Sequence, residues 1–238
     1  MRNQSARFLI YLLPLLLSVN VFATPQRSDY LMYQGEKYRL HTNPLEELFF
    51  VKKELRPETE VRSSGNWRGY IATFSINEDY LVVSDITIAK RDPNKEHSYL
   101  RESVFLKTFP NESDRKMDWF TGLLVVPLGK RTRYVHLSYA SQYENYLLIR
   151  IKDGLVLESD EMDLEEYMAF KVRQFEAFKA TPAYEARYKV LSKISDRADG
   201  FDLEGFIFKM GGFTQNIDIP FKPPNKSSKP DAANSAGS

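Results

Sequence analysis

The chain has 238 residues, with 33 basic and 32 acidic side chains and no cysteine. This near-neutral balance provides no global positive field for nucleic acid, and the absence of cysteine excludes disulfides, thiolate chemistry and cysteine–metal sites. A chain of this length buries a sizeable core without cross-links. Aromatic residues make up 13% of the sequence and include 14 tyrosines. Because tyrosine packs well on a half-buried sheet face, this composition favours a β-rich fold.

The first 23 residues have the features of a signal peptide. Arg2 and Arg7 form a basic segment, residues 8–22 are almost wholly apolar, and Val21 and Ala23 match the small-residue pattern before a cleavage site. The alternative is an uncleaved anchor, which needs about 20 apolar residues. We expect cleavage after Ala23, leaving 31 basic against 32 acidic residues. The mature chain is then periplasmic or secreted and has no transmembrane span.

The first half of the mature chain predicts hairpins and one short helix. Residues 33–41 predict a hairpin or edge strand with a turn at Gln34-Gly35. Asn43-Pro44 begins a short helix whose apolar residues follow at helical spacing. Residues 67–76 and 80–89 alternate as two strands of a hairpin. Residues 104–106 predict a further strand.

Three consecutive strands are predicted over residues 122–128, 132–140 and 146–151, with connections at residues 129–131 and 142–145. Lys152-Asp153-Gly154 predicts a turn into a short strand over residues 155–158. Short strands joined by tight turns favour an antiparallel meander over a parallel sheet with crossover helices.

Two helices are predicted after the strands. Asp163 and Glu166 have capping-box spacing, and an apolar stripe follows at helical spacing. Thr181-Pro182 begins the second helix, with Thr181 as its cap. Residues 201–219 predict a loop or a strand packed on the core. We therefore predict one α+β domain over residues 24–219, in which two C-terminal helices pack on an antiparallel β-meander that is either open or barrel-like, and a disordered tail over residues 220–238.

No catalytic or metal-binding motif is present in the sequence. His41, His97 and His136 lack metal-ligand spacing, and no Gly-x-Ser-x-Gly or phosphate-binding glycine loop occurs. The acidic run over residues 158–166 fits helix capping better than a metal site. We expect no cofactor and no metal. His136 is interpreted as a structural residue of a strand, and the enzymatic alternative is an envelope hydrolase that pairs His136 with a carboxylate such as Glu144.

Aromatic and basic side chains form the best candidate binding surface. Trp, Tyr and Arg dominate binding hot spots because they bury a large area and keep a polar group. The candidate binding residues are Trp67, Arg68, Tyr70, Trp119, His136, Tyr139 and Tyr143. The alternative for Trp67, Tyr70 and Trp119 is a core position. We expect an exported, non-enzymatic binding protein with a protein or envelope partner and no nucleic acid. A second alternative is small-ligand binding in the mouth of the sheet.

Three segments resemble a group of uncharacterised exported bacterial proteins. They are WRGYIAT from Trp67, DWFTG from Asp118 and YVHLSYASQYE from Tyr134, in this order. The resemblance covers residues 33–158. It implies an exported bacterial protein and implies no activity, cofactor or catalytic residue.

Overall fold

A computed structural model describes residues 25–195, 201–211 and 219–222. Its strands are β1 (Asp29–Tyr33), β2 (Glu36–Leu40), β3 (Tyr70–Asn77), β4 (Tyr80–Arg91), β5 (Tyr99–Ser103), β6 (Gly122–Arg133), β7 (Gln142–Lys152) and β8 (Leu155–Asp163). Its α-helices are α1 (Leu45–Val51), α2 (Phe105–Thr108), α3 (Leu164–Lys179), α4 (Pro182–Ser195) and α5 (Leu203–Met210). The predicted signal peptide and residues 223–238 of the predicted tail lie outside the described residues.

The strands form one mostly antiparallel sheet in the order β2-β1-β3-β4-β8-β7-β6, with β5 paired to β4. The predicted α+β class is therefore confirmed. The pairing of β1 with β3 is parallel, which a simple meander does not contain. Within the described residues, the sheet does not close into a barrel. Its two ends approach each other where the backbone N–H of His41 donates to the carbonyl of Val125 at 2.7 Å.

Tight turns join neighbouring strands where the sequence predicts them. The turn between β1 and β2 has positive φ at Gln34 and Gly35, and the turn between β7 and β8 has positive φ at Asp153 and Gly154. Such turns match the right-handed twist of a hairpin. A Cβ atom at Gly154 would come within 2.8 Å of the carbonyl oxygen of Met117. A side chain at this position would therefore displace the neighbouring backbone.

The predicted strand over residues 132–140 is wrong. β6 continues through the predicted connection at residues 129–131 and ends at Arg133, and the register with β7 shifts on both sides of Arg131. Gly129 has a φ of 70° and lies at an irregularity within β6, where the sequence predicted a turn. Residues 134–141 form a loop, so His136 lies on a loop and not in a strand.

Two further predictions are corrected by the structure. Residues 104–106 are not a strand, because α2 begins at Phe105 and the strand in this region is β5. Residues 203–210 form α5, a third C-terminal helix, in a segment predicted to be a loop or strand. Phe221 is buried against Phe170 in the cluster on the α3 side of the sheet.

The main core lies on one face of the sheet. Leu31 of β1, Phe74 of β3, Leu81 of β4, Leu124 of β6 and Ile149 of β7 all belong to it and are buried. The opposite face of β6 and β7 packs against α3 in a second cluster, and α3, α4 and α5 share a third. One face of β6 and β7 therefore packs in the main core, and the opposite face packs against α3.

The two predicted starts of the C-terminal helices α3 and α4 are confirmed. The Asp163 carboxylate accepts the Glu166 N–H at 2.9 Å, and the Glu166 carboxylate accepts the Asp163 N–H at 3.2 Å. At the start of α4, the Thr181 hydroxyl accepts the N–H of Tyr184 at 3.3 Å. These bonds satisfy donors that a helix N-terminus otherwise leaves without a partner.

Candidate functional site

Arg68 lies in the interior of the protein, paired with Asp29. Both side chains are fully buried, and Nη1 of Arg68 donates to Oδ2 of Asp29 at 2.5 Å. Nη2 of Arg68 donates to the carbonyl of Arg27 at 2.6 Å, and Oδ1 of Asp29 accepts the N–H of Ala72 at 2.8 Å. Burial raises the pKa of Asp29, and the charge of Arg68 opposes this shift. Arg68 therefore joins β1 to β3 and offers no surface to a partner.

Tyr70 is also a core residue, which agrees with the alternative stated for it. Its side chain is fully buried, and its hydroxyl donates to Oε1 of Glu46 at 2.8 Å. Arg56 donates to both oxygens of the same carboxylate, at 3.1 and 2.9 Å. Burial holds the pKa of Tyr70 well above its usual value. This network attaches α1 to β3.

Tyr139 and Tyr143 enclose the imidazole of His41. Tyr139 stacks on His41 with ring centres 4.9 Å apart, and Tyr143 meets it edge-on at 5.5 Å. The Tyr139 hydroxyl also donates to Oδ1 of Asn43 at 2.8 Å. Since Tyr139 belongs to the loop after β6, these contacts fix that loop on the sheet.

The segment directly before β1, which contains Gln26 and Arg27, connects two loops beside this cluster. The N–H of Gln26 donates to the carbonyl of Ser138 at 3.4 Å, and the N–H of Arg27 donates to the carbonyl of Gly65 at 2.7 Å. The loop that carries Trp67 and the loop after β6 therefore lie on either side of the same segment. Trp67 is 51% exposed there, so it is a surface residue and not a core residue.

The end of β6 and the following loop present an exposed group of basic and aromatic side chains. We call Arg131, Arg133, Tyr134 and His136 the basic-aromatic arm. The Arg131 guanidinium carbon lies 4.8 Å from the Tyr134 ring centre, and the Tyr134 hydroxyl lies 2.7 Å from Nδ1 of His136. Neither Arg131 nor Arg133 forms an ion pair within the described part of the chain. Their charges are thus available to a partner.

The structure brings most of the predicted site residues to one region. His136 belongs to the arm, Tyr143 lies across from Arg131, Tyr139 lies on the loop after β6, and Trp67 lies on the neighbouring loop. Arg68 and Tyr70 lie in the core, where Arg68 pairs with Asp29 and Tyr70 with Glu46. Trp119 does not join them, because it packs on Phe120 at the edge of the main core. The prediction missed Arg131, Arg133 and Tyr134. The basic run Lys-Arg-Thr-Arg directly before the YVH segment was the available signal.

His136 and Glu144 have separate partners. The Glu144 carboxylate accepts the backbone N–H of Lys130 at 2.8 Å, while Nδ1 of His136 faces the Tyr134 hydroxyl. A histidine base oriented by a carboxylate needs the two groups within hydrogen-bond distance. In the structure, Nδ1 of His136 contacts the phenol hydroxyl of Tyr134, and the Glu144 carboxylate contacts a backbone amide. Nδ1 of His136 is therefore oriented by Tyr134 and not by Glu144.

His41 has the most perturbed histidine environment that the structure describes. Burial lowers its pKa to about 3, and the charges of Arg39 and Lys171 lower it further in the same direction. Burial also lowers the pKa of Lys171 to about 8. His41 is therefore neutral in the folded protein and becomes charged in the unfolded chain below its ordinary value of 6.5.

This difference makes the fold sensitive to mild acid. The unfolded chain binds a proton at His41 that the folded chain does not, so stability falls as the pH drops from 6.5 toward 3. Between pH 7 and pH 5 we expect the wild type to lose about 1 kcal/mol more than His41→Phe, after allowing for partial solvent access. Urea unfolding at both pH values measures this. His97→Gln serves as the control, because the His97 side chain is 90% exposed and should leave the wild-type loss unchanged. An equal loss in wild type and His41→Phe would contradict the assignment.

Two concave sites are lined by residues outside the arm. A groove of about 550 Å³ runs beside the β3–β4 hairpin, where Nζ of Lys116 lies 3.2 Å from the Tyr80 ring centre. A pocket of about 340 Å³ opens between the β1–β2 hairpin and β6–β8.

In residues 25–195, 201–211 and 219–222, no group of three His, Asp or Glu residues could hold a metal ion.

Comparisons with known proteins add no assignment. No family model, no curated protein and no solved structure matches the chain. The resemblance carried by the WRGY, DWFTG and YVH segments therefore stays a prediction. None of the helices in the described part of the chain has the length and apolar character needed to cross a membrane.

Proposed function

We propose that the chain is an exported, non-enzymatic binding protein whose basic-aromatic arm recognises an acidic surface of a protein partner. The observation that carries this proposal is the exposure of Arg131 and Arg133 without an ion pair in the described residues. Arginine binds carboxylates through two parallel hydrogen bonds, and aromatic rings beside it add buried area. An acidic protein surface supplies both kinds of contact.

The support beneath the arm favours binding by a preordered surface. Arg131 already lies over Tyr134, and Tyr134 contacts His136. Tyr139 attaches the same loop to Asn43 and His41. Side chains that are ordered before binding lose less conformational entropy when the complex forms. The fixed charges also accelerate encounters with a partner of opposite charge.

The hydrolase alternative has weaker support. His136 and Glu144 would form its base and orienting group, yet each engages a different group in the structure. The binding proposal instead uses His136 as a contact residue next to Tyr134. Replacement of His136 by alanine should therefore leave the fold intact and affect binding less than loss of the arginines.

The arm is tested by photo-crosslinking in envelope extracts. With a photoreactive side chain at the exposed position 132 and all four arm residues unchanged, the chain should yield one dominant crosslinked protein. Arg131→Gln/Arg133→Gln should weaken its capture at least about tenfold, because charge-assisted hydrogen bonds contribute about 1.5–3 kcal/mol each. Added salt should reduce capture by the wild type more than by this variant.

Lys52→Gln/Lys53→Gln is the matched control, since it removes two exposed cations that lie outside the arm. It should capture the partner as well as the wild type. Equal losses in both double variants would show that only net charge matters and would refute an arm-specific partner. A crosslinked protein that lacks an acidic surface would do the same.

Export is the second part of this proposal. It is supported by the basic and apolar segments before Ala23. Expression of the full chain in a bacterial host should give a periplasmic or secreted protein that begins at Thr24. Intact-mass measurement and N-terminal sequencing of the fractionated protein check this result. A chain that keeps residues 1–23 and sediments with membranes would contradict it.

A further inference from the structure

The pocket between the β1–β2 hairpin and β6–β8 is formed by residues that the arm does not use. Tyr33 and Tyr38 contribute its aromatic wall, and Leu128 and Leu147 contribute its aliphatic wall. All four side chains pack partly against the main core. The floor of the pocket therefore rests on the main core.

The polar groups at this pocket are negative or neutral. Glu161 lies directly across from Leu147 in the β7–β8 register, and Ser159 and Asp160 precede it in the pocket lining. None of the described residues that line the pocket is a lysine or arginine. Asp160 is paired with Lys222 at 3.4 Å. Within the described residues, Glu161 has no ion pair, so one carboxylate at the pocket lacks a counter-charge.

Like Glu161, the two tyrosines of the pocket lack partners for their polar groups and ring faces within the described residues. Within the part of the chain that the structure describes, the hydroxyls of Tyr33 and Tyr38 have no hydrogen-bond partner, and neither ring has a cation over it. An aromatic face attracts a cation electrostatically, most strongly where water is excluded. A carboxylate beside such faces adds charge attraction. This combination recognises an ammonium group that carries apolar carbon.

We propose that this pocket binds a small organic cation, a primary or quaternary ammonium compound with a short apolar body. The ammonium group lies beside the Glu161 carboxylate and the rings of Tyr33 and Tyr38, while its carbon atoms contact Leu128 and Leu147. The pocket volume of about 340 Å³ falls at the lower end of ligand sites, which restricts the ligand to a small molecule.

Calorimetric titration of the mature chain with choline tests the proposal. The matched ligand is 3,3-dimethyl-1-butanol, which has nearly the same shape and no charge. Choline should bind at least about tenfold more tightly than this alcohol, because only the cation gains from the carboxylate and the ring faces. Equal affinity for the two ligands, or binding of neither at millimolar concentration, would overturn the proposal.

Variants assign the binding to the pocket. Glu161→Gln should weaken choline binding about tenfold, whereas Glu58→Gln, an exposed carboxylate outside the pocket, should leave it unchanged. Tyr38→Phe keeps the ring face and should retain binding, while Tyr38→Leu should reduce it several-fold. Circular dichroism and the unfolding midpoint confirm that each variant is folded. Equal affinities in Glu161→Gln and Glu58→Gln would place any bound cation elsewhere and refute the site. The arm and its partner are not involved in either result.

Discussion

Replacing Asp29 by alanine is expected to destabilise the protein by about 3–5 kcal/mol, because the charge of Arg68 is then left in the interior without a counter-ion. Both side chains are fully buried, and the same change removes the acceptor for the N–H of Ala72. A typical domain has a free energy of unfolding of about 5–15 kcal/mol in total. Equilibrium urea unfolding of the mature chain should therefore show a large shift of the midpoint.

Two comparisons make this prediction specific to the buried pair. Asp29→Ala combined with Arg68→Met should lose less stability than the sum of the single changes, because the second change removes the uncompensated charge. Glu102→Ala breaks the exposed pair with Lys90, whose side chains are 48% and 50% exposed, and should shift the unfolding midpoint only slightly. A loss in Asp29→Ala no larger than that in Glu102→Ala would show that the buried pair contributes little to the fold.

Phe170→Ala is expected to cost about 3–5 kcal/mol by removing a buried contact between α3 and the sheet. The Phe170 side chain is 1% exposed and belongs to the cluster that contains Leu148 of β7. Its ring centre also lies 5.6 Å from that of Phe221. The truncation leaves a cavity that fixed neighbours on both sides cannot fill. The unfolding free energy of the variant measures the effect.

Val172→Ala provides the control on the same helix. Val172 is 49% exposed, so its truncation should change stability by less than about 1 kcal/mol. Far-ultraviolet circular dichroism reports on the helices, while tryptophan fluorescence reports on the loops around the sheet. Coincident transitions in Phe170→Ala would show that the helices and the sheet unfold together. A loss similar to that of Val172→Ala would contradict a structural role for the Phe170 contact.

Elements with local signals were predictable from the sequence. The Asp163 capping box and the Thr181 cap depend on residues three positions apart, so the pattern and the bond are visible together. The turns at Gln34-Gly35 and Asp153-Gly154 likewise depend on residues that tolerate positive φ. The antiparallel character of most pairings followed from the short connections between the strands.

Features that depend on distant residues were not predictable in the same way. Arg68 reads as a surface arginine because its counter-ion, Asp29, lies 39 residues earlier in the chain. The continuation of β6 through Gly129 depends on pairing with β7, which overrides the turn preference of a glycine followed by charged residues. The same pairing ends at Arg133 and leaves His136 on a loop. The aromatic partners of His41 lie about a hundred positions away, so its environment left no local signal.

The parallel pairing of β1 with β3 has a consequence for how the protein assembles. Asp29 and Ala72, which are hydrogen-bonded, are separated by 43 positions in the chain. In a polypeptide synthesised from its N-terminus, β1 and β2 can form a hairpin early, but they must wait for β3 before they join the sheet. Non-local pairings of this kind slow folding, since the loop must close before its contacts form. The N-terminal half of the sheet therefore reaches its native strand order only when β3 closes on β1 across these 43 positions.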